Sequence, residues 1–315
     1  MCVQNYMGRT ALNQNMNRHQ TLSVAGVRVD NMTLSDILED VEKRLEKSGV
    51  EQRTILPICT INPEFVVQAQ VDKTFMNIVN SSFVSVPDGF GILLYGLLNR
   101  APFRQKITGI DLIFSLTALA AEHNYTIGFL GGKPGAASRT LRLFQEKYPA
   151  IKAWADEGPM VSDSFFTPGS LNNITRSLQK MPSMSTTPDL RIAIEDLLCQ
   201  TDILFVAFGA PKQEYFISNL PFSKREAHIS PLVAVGVGGS FDEISGLVPP
   251  CPHWVEQAGG KWLFRLVTEP WRWRRQLRLL KFIYLTFVLQ IRKMFYNATS
   301  TRKFKISNRD PESSS

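Results

Sequence analysis

Residues 203–214 read ILFVAFGAPKQE, an apolar run followed by a glycine and the start of a helix, and this pattern decides the fold. The run Ile203–Phe208 has the length and the unbroken apolar character of a strand that is buried on both faces. Gly209 allows a tight turn, and Pro211 fits the start of a helix. The segment therefore predicts one strand–turn–helix unit of a parallel sheet.

Similar units recur along the chain. Four further apolar runs are predicted to be strands, at Thr54–Cys59, Phe83–Val86, Thr126–Leu130 and Leu232–Val237. Helical patterns accompany them, at Leu34–Glu46, Pro63–Val79, Ile110–Glu122, Pro134–Lys147, Asp189–Leu198 and Pro211–Ser218. This alternation predicts an α/β fold with a Rossmann-like, mostly parallel sheet and helices on both of its faces.

Composition divides the chain into four parts. Residues 1–20 and 297–315 are polar and are expected to be disordered tails. Residues 21–248 are predicted to form the α/β domain, with a surface loop at Met181–Pro188. Residues 249–296 follow a proline-rich entry and form a basic amphipathic helical appendage, which we call the arm.

The positive charge of the protein is concentrated in the arm and just after it. The chain has 35 Lys and Arg against 28 Asp and Glu, a net charge of +7, yet residues 261–305 alone carry +11. Apolar and aromatic residues recur there at three- and four-residue steps, which is typical of a helix lying on an anionic membrane surface. We expect that contact through residues 261–296. No nucleic acid is expected, because no helix-turn-helix, RRM, KH or zinc-finger pattern is present.

Other features of the sequence indicate the cellular compartment in which the protein is expected. The N-terminal residues lack the apolar segment of a secretory signal, and the longest apolar stretch, Leu279–Ile291, is too short to span a bilayer. The four cysteines are far apart and form neither a disulfide framework nor a zinc pattern. Reduced thiols in a cytoplasmic protein without a transmembrane helix are therefore expected.

The loops after the predicted strands are the candidates for a ligand site, since ligands bind beyond the carboxyl ends of the strands in such sheets. They contain Thr60 and Asn62, then Asp88, then Gly131 and Gly132, then Gln213, and finally Gly238, Gly239 and Asp242. Each loop alone has an ordinary structural explanation, such as a helix cap or a glycine turn. Together they predict several helix N-termini around one crevice, which suits a diphosphate.

No cofactor is expected in this crevice. The chain contains no Asp-x-Asp pair and no His, Cys and carboxylate set with the spacing of metal ligands. Helix dipoles and cationic side chains are then left to neutralise the diphosphate, and the arm carries the cations.

Seven linked motifs resemble the WecG/TagA/CpsF family of bacterial glycosyltransferases. They are TINPEF (60–65), VPDGFGI (86–92), ITGIDL (107–112), GFLGGKPG (128–135), FGAPKQE (208–214), GVGGSFD (236–242) and PHWVEQAGGKWLFRLVTEPWRWRR (252–275). The resemblance implies an inverting, metal-independent enzyme that moves a sugar from a UDP-sugar to a sugar linked through diphosphate to a polyprenol. N-acetylmannosamine or a hexose would be donated, in teichoic acid, capsule or exopolysaccharide synthesis.

The resemblance also implies a place and a set of roles. The enzyme would sit peripherally on the inner face of the cell membrane, and its oligomeric state, including a homo-oligomer, is left open. Asp88 would be the catalytic base. The donor cleft would contain Thr60, Asn62, Gln213 and Asp242, and the diphosphate would be reached by Arg265, Arg272 and Arg275. Lys106 stands where many members have Arg, which keeps the charge but loses the bidentate fork.

Two other classes stay open at this point. A Rossmann-type oxidoreductase or methyltransferase would share the parallel sheet, although the GxGxxG fingerprint is missing. A non-enzymatic membrane adaptor could use the same arm, but it would have no need for Asp88, Gln213 and Asp242 at strand ends. Titration with NAD and assays of UDP-sugar transfer separate these classes.

Overall fold

The computed structural model describes residues 20–46, 54–158, 197–220, 231–252, 254–255, 259–270, 273 and 277–290. Several sequence predictions lie outside these residues: the two tails except residue 20, the Met181–Pro188 loop, Arg272, Arg275 and most of the Asp189–Leu198 helix.

A six-stranded parallel sheet forms the centre of the fold and confirms the predicted α/β class. Its strands are β3 (Ile55–Ile61), β4 (Val84–Pro87), β5 (Ile127–Gly131), β6 (Ala153–Asp156), β7 (Ile203–Ala207) and β8 (Leu232–Gly236), in the order β4-β3-β8-β7-β5-β6. A separate antiparallel hairpin, β1 (Thr21–Val24) and β2 (Val27–Asp30), precedes them and was not predicted. Neither was β6, whose four residues are only half-buried.

Helices surround the sheet. They are α1 (Leu34–Leu45), α2 (Pro63–Val71), α3 (Lys73–Asn80), α4 (Phe90–Leu98), α5 (Gly109–His123), α6 (Ala136–Lys147), α7 (Lys212–Ser218), α8 (Ser240–Ile244) and α9 (Lys261–Thr268). Residues 277–290 are also helical. Across the described ranges, no helix is long and apolar enough to cross a bilayer.

The core lies on both faces of the sheet because successive strand side chains point in opposite directions. In β7, Ile203 and Phe205 belong to one buried cluster, while Leu204 and Val206 belong to another on the opposite face. Both clusters are apolar, which explains why the strands read as unbroken hydrophobic runs rather than as alternating patterns.

The prediction of one helix over Pro63–Val79 is wrong, because the chain breaks at Asp72 into α2 and α3. The Asp72 carboxylate caps α3 by accepting from the Phe75 N–H (3.0 Å), and it also accepts from the Tyr215 hydroxyl (2.7 Å). The predicted helix Pro134–Lys147 begins two residues too early. Helix α6 starts at Ala136, because the preceding Gly135 has a left-handed backbone conformation. Both errors arise from single turn or cap residues that hydrophobic periodicity does not register.

Candidate active site

A cavity of about 950 Å³ opens at the carboxyl ends of β3, β4, β7 and β8. Its polar lining comes from four of the five predicted strand-end loops, through Thr60, Asn62, Asp88, Gly209, Gln213, Gly238 and Gly239. The first turn of α5 adds Thr108 and Gly109. The structure thus brings together loops that are up to 179 positions apart in the chain.

Asp88 presents a half-buried carboxylate to this cavity from the end of β4. Its backbone N–H donates to the Ile61 carbonyl (2.7 Å), and the preceding Pro87 carbonyl accepts from the Ile107 N–H (3.0 Å). The main chain on both sides of the carboxylate is therefore tied to neighbouring segments. Gly89 follows at φ +88°, a conformation that L side chains rarely adopt, and it turns the chain into α4.

Asn62 is both a helix cap and a cavity residue. Its side-chain oxygen accepts from the N–H groups of Glu64 (2.9 Å) and Phe65 (3.1 Å), which fulfils the cap expected from the sequence. Pro63 occupies the first helical position of α2. The buried Thr60, two residues earlier, lines the same cavity. The cap fixes where the start of α2 meets the site.

Gln213 is a buried clamp between two loops. Its side-chain oxygen accepts from the Gly209 N–H (3.1 Å) after β7 and from the Gly238 N–H (3.0 Å) after β8. Its amide nitrogen donates to the Glu214 carboxyl group (2.7 Å). A side chain at Gly236 would meet that nitrogen at 2.5 Å, so glycine is needed there. Sequence analysis identified Gln213 as a cleft residue but missed this bridging role.

Glu214 supports the clamp from the protein interior. It is buried, one of its carboxyl oxygens accepts from Gln213, and the other has no hydrogen-bond partner among the residues that the structure describes. Burial raises the pKa of Glu214 to about 7, because the charged form is poorly solvated inside the protein. The protonated form is therefore well populated at neutral pH.

Of the predicted site residues that the structure describes, three do not line the cavity. Gly131 is the last residue of β5 and Gly132 follows it. Since β7 separates β5 from β8, their loop lies to one side. Asp242 accepts from the backbone N–H of Lys133 (2.9 Å) and thereby holds that loop against α8. The Asp242 carboxylate thus fixes the position of the turn after β5 instead of lining the cavity.

Cations reach the cavity from two directions. Lys106 comes from the segment between α4 and α5, whereas Lys261 and Arg265 come from α9 of the arm. Glu243 holds both arm cations, with one carboxylate oxygen 2.6 Å from Arg265 Nη2 and the other 3.3 Å from Lys261 Nζ. Sequence analysis missed Glu243, because nothing in its local sequence indicates a partner 22 residues away.

The outer wall of the cavity is apolar. One stripe of the helical residues 277–290 lines it at helical spacing, through Leu279, Phe282, Ile283, Thr286, Phe287 and Gln290. Phe282 is buried against the first turn of α4, since a side chain at Gly91 would lie 3.2 Å from its ring. The amide nitrogen of Gln290 is buried in this wall and has no hydrogen-bond partner within the described part of the chain.

Among the described residues, one group has the geometry to hold a metal ion, and it lies outside the cavity. Glu42, Glu46 and His123 place one ligand atom each within 4.8 Å of one another. His123 ends α5, whose first turn lines the cavity, and fifteen helical residues span about 20 Å. His123 Nε2 is already paired with Glu42 at 3.1 Å.

Comparisons with known proteins identify a family and several named relatives. A family model described as "Glycosyl transferase WecG/TagA/CpsF family" matches residues 22–296. A protein of Bacillus subtilis (strain 168) named N-acetylglucosaminyldiphosphoundecaprenol N-acetyl-beta-D-mannosaminyltransferase is 28% identical over 264 residues, covering 84% of this chain and 90% of that protein. Proteins of the same name are 29% identical in Bacillus spizizenii (78% and 83% covered) and 22% in Staphylococcus aureus strain NCTC 8325 (82% and 87% covered).

Proposed function

This chain belongs to the WecG/TagA/CpsF family of glycosyl transferases, and on that premise we propose that it transfers a sugar from a UDP-sugar to a sugar carried by polyprenyl diphosphate. The observation that carries the proposal is a single cavity that combines the Asp88 carboxylate, cations from body and arm, and a wall of apolar side chains. The named relatives, as N-acetylmannosaminyltransferases, make N-acetylmannosamine the first donor sugar to test.

Asp88 is the general base of the proposed reaction. Its carboxylate takes the proton from an acceptor hydroxyl, whose oxygen attacks the anomeric carbon from the face opposite UDP. The bond from that carbon to the diphosphate breaks, and UDP leaves with the electron pair. One displacement of this kind inverts the configuration of the anomeric carbon. A positioned base of this type contributes about 10²- to 10⁴-fold to a rate.

The departing UDP gains negative charge, and the cations around the cavity stabilise that charge. Arg265 has five N–H donors and uses one nitrogen on Glu243, which leaves others for phosphate oxygens. Lys106 and Lys261 add point charges from two further sides of the cavity. Gly238 and Gly239 let the backbone approach the diphosphate closely. No metal ion is needed in this scheme.

The arm suits an acceptor that is attached to a membrane lipid. Trp262, Leu263 and Val267 of α9 are exposed, and the helical residues 277–290 expose five more large apolar side chains. Arg278 and Lys281 accompany them, and the described residues 277–290 contain no acidic residue. This combination supports attachment to the inner face of an anionic membrane, where the cavity would meet the lipid-linked sugar.

The proposal is tested by incubating the purified protein with single UDP-sugars and a short-chain polyprenyl-diphosphate-N-acetylglucosamine. We expect mass spectrometry to detect the acceptor enlarged by one sugar, with N-acetylmannosamine among the donors used, and turnover to persist in EDTA. Asp40→Asn removes a carboxylate outside the cavity and serves as the matched control for Asp88→Asn. Absence of any enlarged acceptor, whichever donor is supplied, would contradict the proposal.

A further inference from the structure

Helix α4 (Phe90–Leu98) has an apolar face that the body of the protein does not cover. Its sequence, FGILLYGLL, has no charged residue, and Ile92 and Gly96 are buried on its inner side. On the outer side Phe90 is 53%, Leu97 62% and Leu98 64% exposed. A helix on a protein surface normally carries polar residues on its outer face. The exposed face of α4 therefore needs a partner.

This face is continuous with the apolar surface of the arm. Phe90, Leu94 and Leu98 line the cavity together with Ile283 and Phe287 of the helical residues 277–290, and all five side chains are also exposed to solvent. They therefore form an apolar rim around the mouth of the cavity, with three side chains from the body and two from the arm. The two parts touch, since a side chain at Gly91 of α4 would lie 3.2 Å from the Phe282 ring.

The position of the rim limits what can cover it. A second protein molecule on this surface would close the opening that leads to Asp88. A lipid bilayer would instead cover the rim and at the same time deliver a lipid-linked substrate to the opening. Charge favours the bilayer as well, because Arg278 and Lys281 adjoin the rim and neither α4 nor the described residues 277–290 include an acidic side chain.

We propose that α4 is a second membrane anchor, which inserts Leu97 and its exposed neighbours into an anionic bilayer alongside the arm and so sets the cavity mouth on the membrane surface. This inference rests on the proposed function, since it assumes an acceptor held in a membrane. It assigns membrane contact to the catalytic body itself, through a helix that begins three residues after the end of β4, rather than to the basic appendage alone.

Leu97→Glu tests the proposal, because Leu97 is exposed and does not line the cavity. Val71→Glu is the matched control: Val71 is 79% exposed, lies at the C-terminal end of α2 as Leu97 does in α4, and is outside the cavity. Sedimentation with phosphatidylethanolamine–phosphatidylglycerol vesicles should show Leu97→Glu binding about tenfold or more weakly than wild type, given the apolar area that a leucine buries. Val71→Glu should bind as wild type does.

A water-soluble, short-chain acceptor provides the independent readout, and all three proteins should turn it over at the same rate. Wild-type vesicle binding by Leu97→Glu would overturn the proposal. So would normal vesicle binding with slower turnover of long-chain acceptors alone, which would assign the face to the polyprenyl chain. Dissociation of a lipid-free dimer by Leu97→Glu in sedimentation velocity would assign it to a second copy. Failure of the wild type to turn over the short-chain acceptor would instead defeat the proposed function.

Discussion

The floor of the cavity consists of the loops after β3, β4, β7 and β8. This floor and the arm that borders the cavity are held in place by different forces. In the floor, the buried Gln213 side chain joins the loops after β7 and β8 through backbone hydrogen bonds of 3.1 and 3.0 Å. The arm is joined to the body by the buried Phe282 side chain and by ion pairs. These ion pairs are Glu243 with Lys261 and Arg265, Lys133 with Glu269 at 3.6 Å, and Glu64 with Arg278 at 3.8 Å.

This difference suggests different roles: the floor keeps a fixed geometry before substrate binds, whereas the arm closes the cavity through weaker contacts. Buried hydrogen bonds are insensitive to salt and costly to leave unmade, so the floor keeps its geometry whether or not substrate is present. Partly exposed ion pairs contribute about 1 kcal/mol or less and weaken as ionic strength rises. We therefore expect substitutions in the floor to change stability and turnover, whereas substitutions at the arm contacts change substrate affinity and salt dependence.

The largest effect is expected for Asp88→Asn in the floor. Asparagine keeps the size of the side chain but cannot accept the acceptor proton, so kcat should fall by about 10²- to 10⁴-fold. UDP affinity, measured by isothermal titration calorimetry, should stay within a fewfold of wild type. A variant with near-normal kcat would remove Asp88 from its role as the base.

Removal of the clamp should be the next largest effect. Gln213→Ala leaves the partly buried N–H groups of Gly209 and Gly238 without their acceptor, and each unmade bond costs about 1–3 kcal/mol. Urea denaturation should show the free energy of unfolding lowered by about 2 kcal/mol or more, together with a lower kcat/KM. Gln70→Ala, at an exposed position of α2, is the control and should be nearly neutral. Equal stability of the two variants would contradict the clamp.

At the arm contacts, Glu243→Gln should have a moderate effect that depends on salt. The neutral amide no longer holds Arg265 and Lys261 at the cavity, so KM for the UDP-sugar should rise about two- to fivefold with kcat unchanged, and high salt should erase the difference. Glu39→Gln removes an exposed ion pair on α1 and is the control. A fall in KM would mean instead that Glu243 competes with the diphosphate for Arg265.

The smallest expected effect is the pH dependence that Glu214 gives to the floor. Its pKa is about 7 in the folded protein against an ordinary value of 4.5, so the folded state binds more protons between these pH values. Its contribution to the free energy of unfolding is therefore complete below pH 4.5 and is lost as pH rises towards 7. Urea titrations across this range should show a shallower fall of stability with pH in Glu214→Gln than in wild type. If the free energy of unfolding fell equally steeply with pH in both proteins, the raised pKa of Glu214 would be contradicted.

Much of the fold could be predicted from the sequence because its strands are short, fully buried and bounded by glycine or a helix cap. All five predicted runs became strands of the parallel sheet, and four of their loops meet at the cavity. The fifth loop, with Gly131 and Gly132, lies to one side because β7 separates β5 from β8, and strand order cannot be read from local patterns.

Other parts of the candidate site depend on contacts between distant segments. The pairing of Glu243 with Arg265 arises only when α9 docks on α8. The role of Gln213 requires two turns to face the same side chain. Helix α4 was not predicted, for a different reason. Its nine residues are almost all apolar, so the sequence shows no helical period of polar and apolar positions.

The most direct test of the central claim is an experimental structure of the protein with UDP, obtained in the presence of EDTA. We expect the diphosphate to lie within hydrogen-bond distance of the Gly238–Gly239 backbone and of Arg265. The β-phosphate, to which the donor sugar would be attached, should face Asp88. A UDP molecule bound over Gly131 and Gly132 instead, or binding that requires a divalent metal, would contradict the claim that this metal-free cavity is the donor site.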